Sequence, residues 1–234
     1  MKTHISVVLD RSGSMADTKS DTIGGFNQFL QDQKDVEGEA TLTLAQFDDH
    51  YEVLSDMVPI VDAVDLTNET YTPRGYTALL DALGRTINDT EHKISQEREK
   101  PERVIFVVIT DGEENSSREF TRDQIMEMIN RHRDEDEWEF VFIGANQDAI
   151  QAGGSLGVRD GSTMNYVASP IGTQTMYRGL SQSLTNYRTS AIAPDEFFSE
   201  EDKKEVEELD EKPDAKDIDN LYHIKTTNLS ENND

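Results

Sequence analysis

Asp10, Ser12 and Ser14 alternate through Asp10-Arg11-Ser12-Gly13-Ser14, directly after an apolar run. Alternate residues of a tight loop can turn their oxygens toward one point, and Gly13 eases such a turn. Thr77 heads a second polar group, Gly75-Tyr76-Thr77, where a helical pattern begins. Asp111 stands in a third, Thr110-Asp111-Gly112, at the end of the strongest apolar run. Together these five residues offer two carboxylates and three hydroxyls. Hard oxygen donors of that modest charge suit Mg2+ or Mn2+, which take octahedral oxygen coordination and keep some water. A carboxylate desolvated there without a cation would be costly, and the ion removes that cost. Each piece alone has a plainer reading: a turn for Asp-x-Ser-Gly-Ser, a helix cap for Thr77, a turn signal for Asp111-Gly112. Their combination, each beside the appropriate element, favours a single metal site.

Other chemistries have weaker support. The chain has no cysteine, so disulfides, thiolate catalysis and Cys-based zinc sites are excluded. Five histidines are scattered without HxH or HxxxH spacing. The three loops carry no His, Lys or Cys placed as a base for Ser12 or Ser14, so an enzyme is not expected. No Walker-type phosphate loop is present. A net charge of -26 repels phosphate backbones and argues against nucleic acid. Asp17, Asp48, Asp49, Glu113 and Glu114 are read mainly as solvated surface with a possible role at the rim. Arg74 and Tyr76 flank Thr77 and are secondary candidates for ligand contact.

The elements that must position these groups alternate. His4–Leu9 reads as a buried strand ending at Asp10. Ile23, Phe26 and Leu30 give a helical stripe, interrupted by Gly24-Gly25, for which close packing on a sheet is the expected compensation. Thr41–Phe47 and Tyr51–Val58 read as a hairpin around Asp48-Asp49-His50. An irregular stretch leads from Pro59 to Tyr76, and Thr77 opens a helix carrying Leu79, Leu80, Leu83 and Ile87. Val104–Ile109 lacks polar alternation, as a central parallel strand does. Thr121–Gln124 is a capping box for the next helix. Trp138–Ile143 is a further strand, and Gly153-Gly154 and Gly157 mark turns. Ser169-Pro170 starts the last helix of the domain. Alternation of this kind predicts an α/β sheet with helices on both faces and one antiparallel edge strand.

Composition changes near residue 193. Residues 194–234 hold 15 acidic and 5 basic residues, which reads as an acidic, disordered tail after a domain of residues 1–193. Phe198, Val206 and Leu209 offer a short docking helix within it. In residues 1–193 there are 12 Arg and 5 Lys, a bias compatible with a high-salt cytoplasm or with an ordinary acidic protein. Mean hydropathy is -0.69, and no run approaches the roughly 18 apolar residues of a membrane span. The start leads straight into a strand without a signal segment, so a cytoplasmic location is expected.

The three loops, taken together, resemble the metal-ion-dependent adhesion site of the von Willebrand factor type A domain. Asp10-x-Ser12-x-Ser14, the Gly-x-Thr at Thr77 and the Thr-Asp-Gly at Asp111 carry the resemblance, which extends over roughly residues 3–190. It implies a doubly wound, mostly parallel, six-stranded Rossmann-like sheet. It implies that Ser12, Ser14 and Thr77 contact the metal directly, while Asp10 and Asp111 act mainly through water. One coordination position would stay open for an Asp or Glu of a partner protein. The expected function is therefore metal-dependent protein binding, with no nucleic-acid or membrane partner and an open oligomeric state. A regulatory or structural subunit beside an ATPase or chelatase, in a stress response or in a virion is the alternative. A metal-dependent hydrolase ranks below both.

Overall fold

The computed structural model describes residues 1–145, 149–191 and 196–207. Six strands form one sheet: β1 (Lys2–Asp10), β2 (Glu39–Phe47), β3 (Tyr51–Pro59), β4 (Arg103–Thr110), β5 (Glu139–Ala145) and β6 (Thr163–Tyr166). Their order is β3-β2-β1-β4-β5-β6. Every neighbouring pair is parallel except β2 with β3, which closes the hairpin at one edge.

The apolar runs of β1, β4 and β5 are continuous because both sheet faces are covered. Ile5, Val7 and Leu9 join Ile105, Val107 and Ile109 in a core with α1 (Lys19–Asp35) and α5 (Pro170–Thr189). Val8, Phe106, Val108, Phe140 and Phe142 point the other way. They pack with α2 (Leu79–Gln96), α3 (Arg122–Glu135) and α4 (Ala149–Gly154). This is the doubly wound α/β architecture that the sequence predicts. The strand order reverses at β1, with β2 on one side and β4 on the other. Open α/β sheets bind ligands at such a switch point, outside the carboxyl ends of the strands. Asp10 ends β1 and Asp111 follows β4, so both carboxylates fall there.

Several local signals act as expected. Thr121 accepts from Gln124 N–H in a full capping box, and the Ser169 hydroxyl accepts from Gly172 N–H ahead of α5. Other parts differ from the sequence reading. Gly153 and Gly154 end a short helix rather than marking a turn. A side chain at Gly153 would meet Thr163 and Phe142, so the missing Cβ lets α4 lie close on the sheet. The edge strand β6 has four residues, too few for a recognisable alternation. Beyond residue 193, Phe197 and Phe198 are buried in the core, followed by α6 (Glu200–Glu207). The packed structure thus runs past that point. Leu209 and the rest of the acidic segment, residues 208–234, lie outside the described residues. Among the described residues, no helix is long and apolar enough to cross a membrane.

The two glycines of α1 have opposite surroundings. A Cβ on Gly25 would sit 2.3 Å from Tyr177 Cδ2, whereas Gly24 faces open space. The close packing is therefore against a tyrosine of α5, not against the sheet. Gly25→Ala should destabilise the fold by about 1–3 kcal/mol through overpacking. Gly24→Ala should stabilise it by about 0.5–1 kcal/mol through helix propensity. Urea unfolding of both variants checks this, and equal shifts of the same sign would contradict it.

His4 is fully buried in β1, with Nδ1 2.9 Å from Thr41 Oγ1 and Nε2 2.9 Å from Ser6 Oγ. Burial lowers its pKa from 6.5 to about 3, so it stays neutral in the folded state. The unfolded chain takes up that proton first. His4 neutrality thus contributes fully above pH 6.5, and its contribution is lost as pH falls toward 3. The loss is on the order of a few kcal/mol. The stability of the wild type relative to His4→Gln should fall between pH 7 and 4. Parallel pH profiles would rule His4 out as the source.

Candidate metal centre

The three loops meet above the β1–β4 crevice. Asp10 Oδ1 accepts from Ser12 N–H at 2.6 Å, which curls the first loop back over the strand end. A single 3-10 turn, Gly13–Ala16, follows and presents Ser14. Ser12 and Ser14 hydroxyls lie 3.1 Å apart, and Ser14 donates to Asp111 Oδ1 at 2.5 Å. Gly112 fixes the remaining relation. A Cβ built on it would lie 3.0 Å from Thr77 Oγ1, 3.5 Å from Ser14 Oγ and 3.8 Å from Asp10 Oδ2. Oxygens from all three loops therefore surround one small region, and all five candidate residues are brought together.

Thr77 does not cap α2, contrary to its plainer reading. The helix starts at Leu79, and its N-cap residue Ala78 has no side-chain cap bond. Glu114 accepts from Leu80 N–H at 3.0 Å and Ser117 from Asp81 N–H at 3.1 Å, so the first turn is satisfied from another loop. Thr77 is itself held by Asn115, whose Oδ1 accepts from Thr77 N–H at 2.9 Å. Asn115 N–H returns a bond to Thr77 O at 3.0 Å. These contacts leave the Thr77 hydroxyl to face the oxygen cluster.

The electrostatics call for a cation. Asp10 is fully buried, and burial raises its pKa from 3.8 to about 6. Bonds from Thr110 and Ser12 oppose that rise, and the nearby Asp111 adds to it. Asp111 is also pushed up, first by burial. Among the described residues, neither carboxylate has a Lys, Arg or His partner. Arg11, between Asp10 and Ser12, turns away to Asp48 and Glu52. Two carboxylates and three hydroxyls in this arrangement fit a divalent ion with oxygen coordination.

Several supporting residues were not legible as such. Thr110 donates to Asp10 Oδ2 at 2.6 Å, and Tyr71 donates to Asp10 O at 2.8 Å from within the irregular stretch. A lone buried tyrosine in a loop carries no periodicity that would mark it. Asp48, read mainly as surface, is fully buried. Glu114 is also occupied, accepting from Ser116 and Ser117 N–H groups. Asp17, Asp49 and Glu113 are exposed, as are Arg74 and Tyr76. Asp48, Asp49 and His50 offer ligand atoms within 4.8 Å of one another, but Arg11 and Arg74 already occupy the Asp48 carboxylate.

A doubly wound sheet with a polar crevice at its switch point defines a Rossmann-like domain. The chain belongs to the von Willebrand factor type A domain family, whose model matches residues 4–177. No curated protein sequence matches the chain significantly. Solved structures with the same fold include proximal thread matrix protein 1 from the mussel byssus, described with a zinc-occupied MIDAS motif. It is 14% identical with a TM-score of 0.55, over 78% of this chain and 46% of that one. The manganese-loaded TRAP protein of Plasmodium vivax is 16% identical with a TM-score of 0.51, over 71% and 69%. The von Willebrand factor domain of the pilus tip protein Mfa5 from Porphyromonas gingivalis is 11% identical with a TM-score of 0.56, over 82% and 98%. This chain spans about half the length of the mussel protein, and identities this low speak for the fold alone.

Proposed function

We propose that the chain is a metal-dependent protein-binding module. A Mg2+ or Mn2+ ion held by Asp10, Ser12, Ser14, Thr77 and Asp111 ligates an Asp or Glu carboxylate of a partner protein. The observation that carries this reading is the fully buried Asp10 carboxylate, without a cationic side chain among the described residues, beneath hydroxyls from two separate loops. The zinc and manganese bound in two structures of the same fold are consistent with a divalent ion here. A bound ion also lets a chain of net charge -26 grip an acidic group at short range.

The site favours binding over catalysis, because no imidazole, amine or thiol belongs to the converging set. A regulatory or structural role within a larger assembly would use the same contact. The proposed module acts in the cytoplasm; its sheet and its helices through α5 fall within residues 1–193, and the acidic segment that follows packs Phe197 and Phe198 onto it. The test is capture of partner proteins on the immobilised chain, with Mg2+ and with EDTA, using Asp10→Ala as control. Partners should be retained only by the wild type with metal. Retention that ignores both EDTA and Asp10→Ala would rule the reading out.

A further inference from the structure

The loop after β1 and the loop before α2 supply four of the five candidate oxygens, yet they are far apart in sequence. Two main-chain bonds join them: Arg74 N–H to Arg11 O at 2.8 Å and Gly13 N–H to Gly75 O at 3.3 Å. Asp48, in the β2–β3 turn, adds a side-chain tie. Its Oδ2 accepts from Arg74 Nε at 2.8 Å. Arg11 Nε lies 3.2 Å from the same oxygen, at ion-pair distance without hydrogen-bond alignment. Asp48 Oδ1 accepts from His50 N–H at 2.6 Å, and Asp48 O accepts from Ala78 N–H at 3.0 Å, one residue after Thr77. One buried residue thus touches both loops through two arginines and its own turn through His50.

We propose that Asp48 is a positioning residue for the metal: through Arg11 and Arg74 it fixes the two loops at the separation that brings Ser12, Ser14 and Thr77 together. This rests on the metal reading above. Asp48 is not itself a ligand candidate, since both its oxygens are taken. Stability alone is a poor reason for the arrangement. Burying the Asp48 carboxylate beside the buried Arg11 guanidinium carries a desolvation cost that apolar packing would avoid. What the arrangement provides is a site whose ligands are placed before the ion arrives, held by contacts outside the coordination sphere. Arg74 is more than half exposed, so its Asp48 contact can be removed with little effect on the core.

The test uses the full chain stripped of metal, titrated with Mn2+ by calorimetry, beside thermal unfolding in EDTA. Arg74→Gln should unfold like the wild type yet bind Mn2+ several-fold more weakly. Asp48→Asn should bind about ten-fold more weakly or worse. The double variant should bind no more weakly than Asp48→Asn alone, because both changes break one tie. If Asp48→Asn does not fold, Arg74→Gln decides alone. Wild-type Mn2+ affinity in folded variants, or strictly additive losses, would overturn the positioning role. A wild type that takes up no Mn2+ would overturn the metal reading, and this inference with it.

Discussion

Asp10→Asn should weaken Mn2+ binding roughly 100-fold, the upper end of what supporting groups of a metal site contribute, and at the same time stabilise the metal-free protein. Asp10 is buried and its pKa is raised to about 6. In EDTA near pH 7.5 the folded state therefore carries a desolvated carboxylate that the unfolded chain exposes to water. The elevation from 3.8 corresponds to about 3 kcal/mol as an upper bound. The amide should fit the same contacts. It can still accept from Ser12 N–H and can donate to the Thr110 hydroxyl, which has Gly112 O at 3.1 Å as an alternative acceptor. The sign with pH follows from the raised pKa. In the metal-free wild type, the Asp10 contribution is fully favourable below pH 3.8 and is lost as pH rises through about 6. Its slope opposes that of His4, so urea midpoints of Asp10→Asn against wild type isolate it. Metal competes with the same proton, so Mn2+ affinity should drop below pH 6. A variant that is less stable in EDTA, or that keeps its Mn2+ affinity, would contradict this reading.

Gly112→Ala should remove metal binding while leaving the fold nearly unchanged. Its new methyl would stand 3.0 Å from Thr77 Oγ1 and within 4 Å of Ser14 Oγ and Asp10 Oδ2, inside the region an ion would occupy. The residue lies in a loop after β4 and is part-exposed, so the thermal midpoint in EDTA should move little. Mn2+ affinity should fall by roughly 100-fold or more, since one carbon excludes both the ion and its waters. Calorimetry with the variant checks this. Near-normal binding would mean that the ion sits away from Gly112.

The central part of the fold was legible because its signals are long. Val104–Ile109 announces a strand covered on both faces, and the Thr121 and Ser169 caps announce their helices. Asp10 and Asp111 could be placed at one sheet edge because each follows such a strand. The short elements were not legible. β6 has four residues, and α4 ends in two glycines that a sequence reading takes for a turn. The five converging candidate donors were legible in the sequence, but not the residues that support them. Thr110, Tyr71, Asn115 and Asp48 act through contacts between residues distant in sequence, and their types alone fit ordinary loops. Asp48 is the clearest case: two acidic residues and a histidine between strands look solvated, yet burial beside two arginines makes the first of them structural.

The most direct test of metal-mediated partner binding is electron paramagnetic resonance of the Mn2+-loaded protein with a short Asp-containing peptide whose carboxylate carries 17O. One bound Mn2+ is expected, with lines that broaden when the labelled carboxylate enters its coordination sphere and do not broaden with the matching Asn peptide. Bound Mn2+ with lines that saturating labelled peptide leaves unchanged would contradict the claim that this ion is what holds an acidic partner.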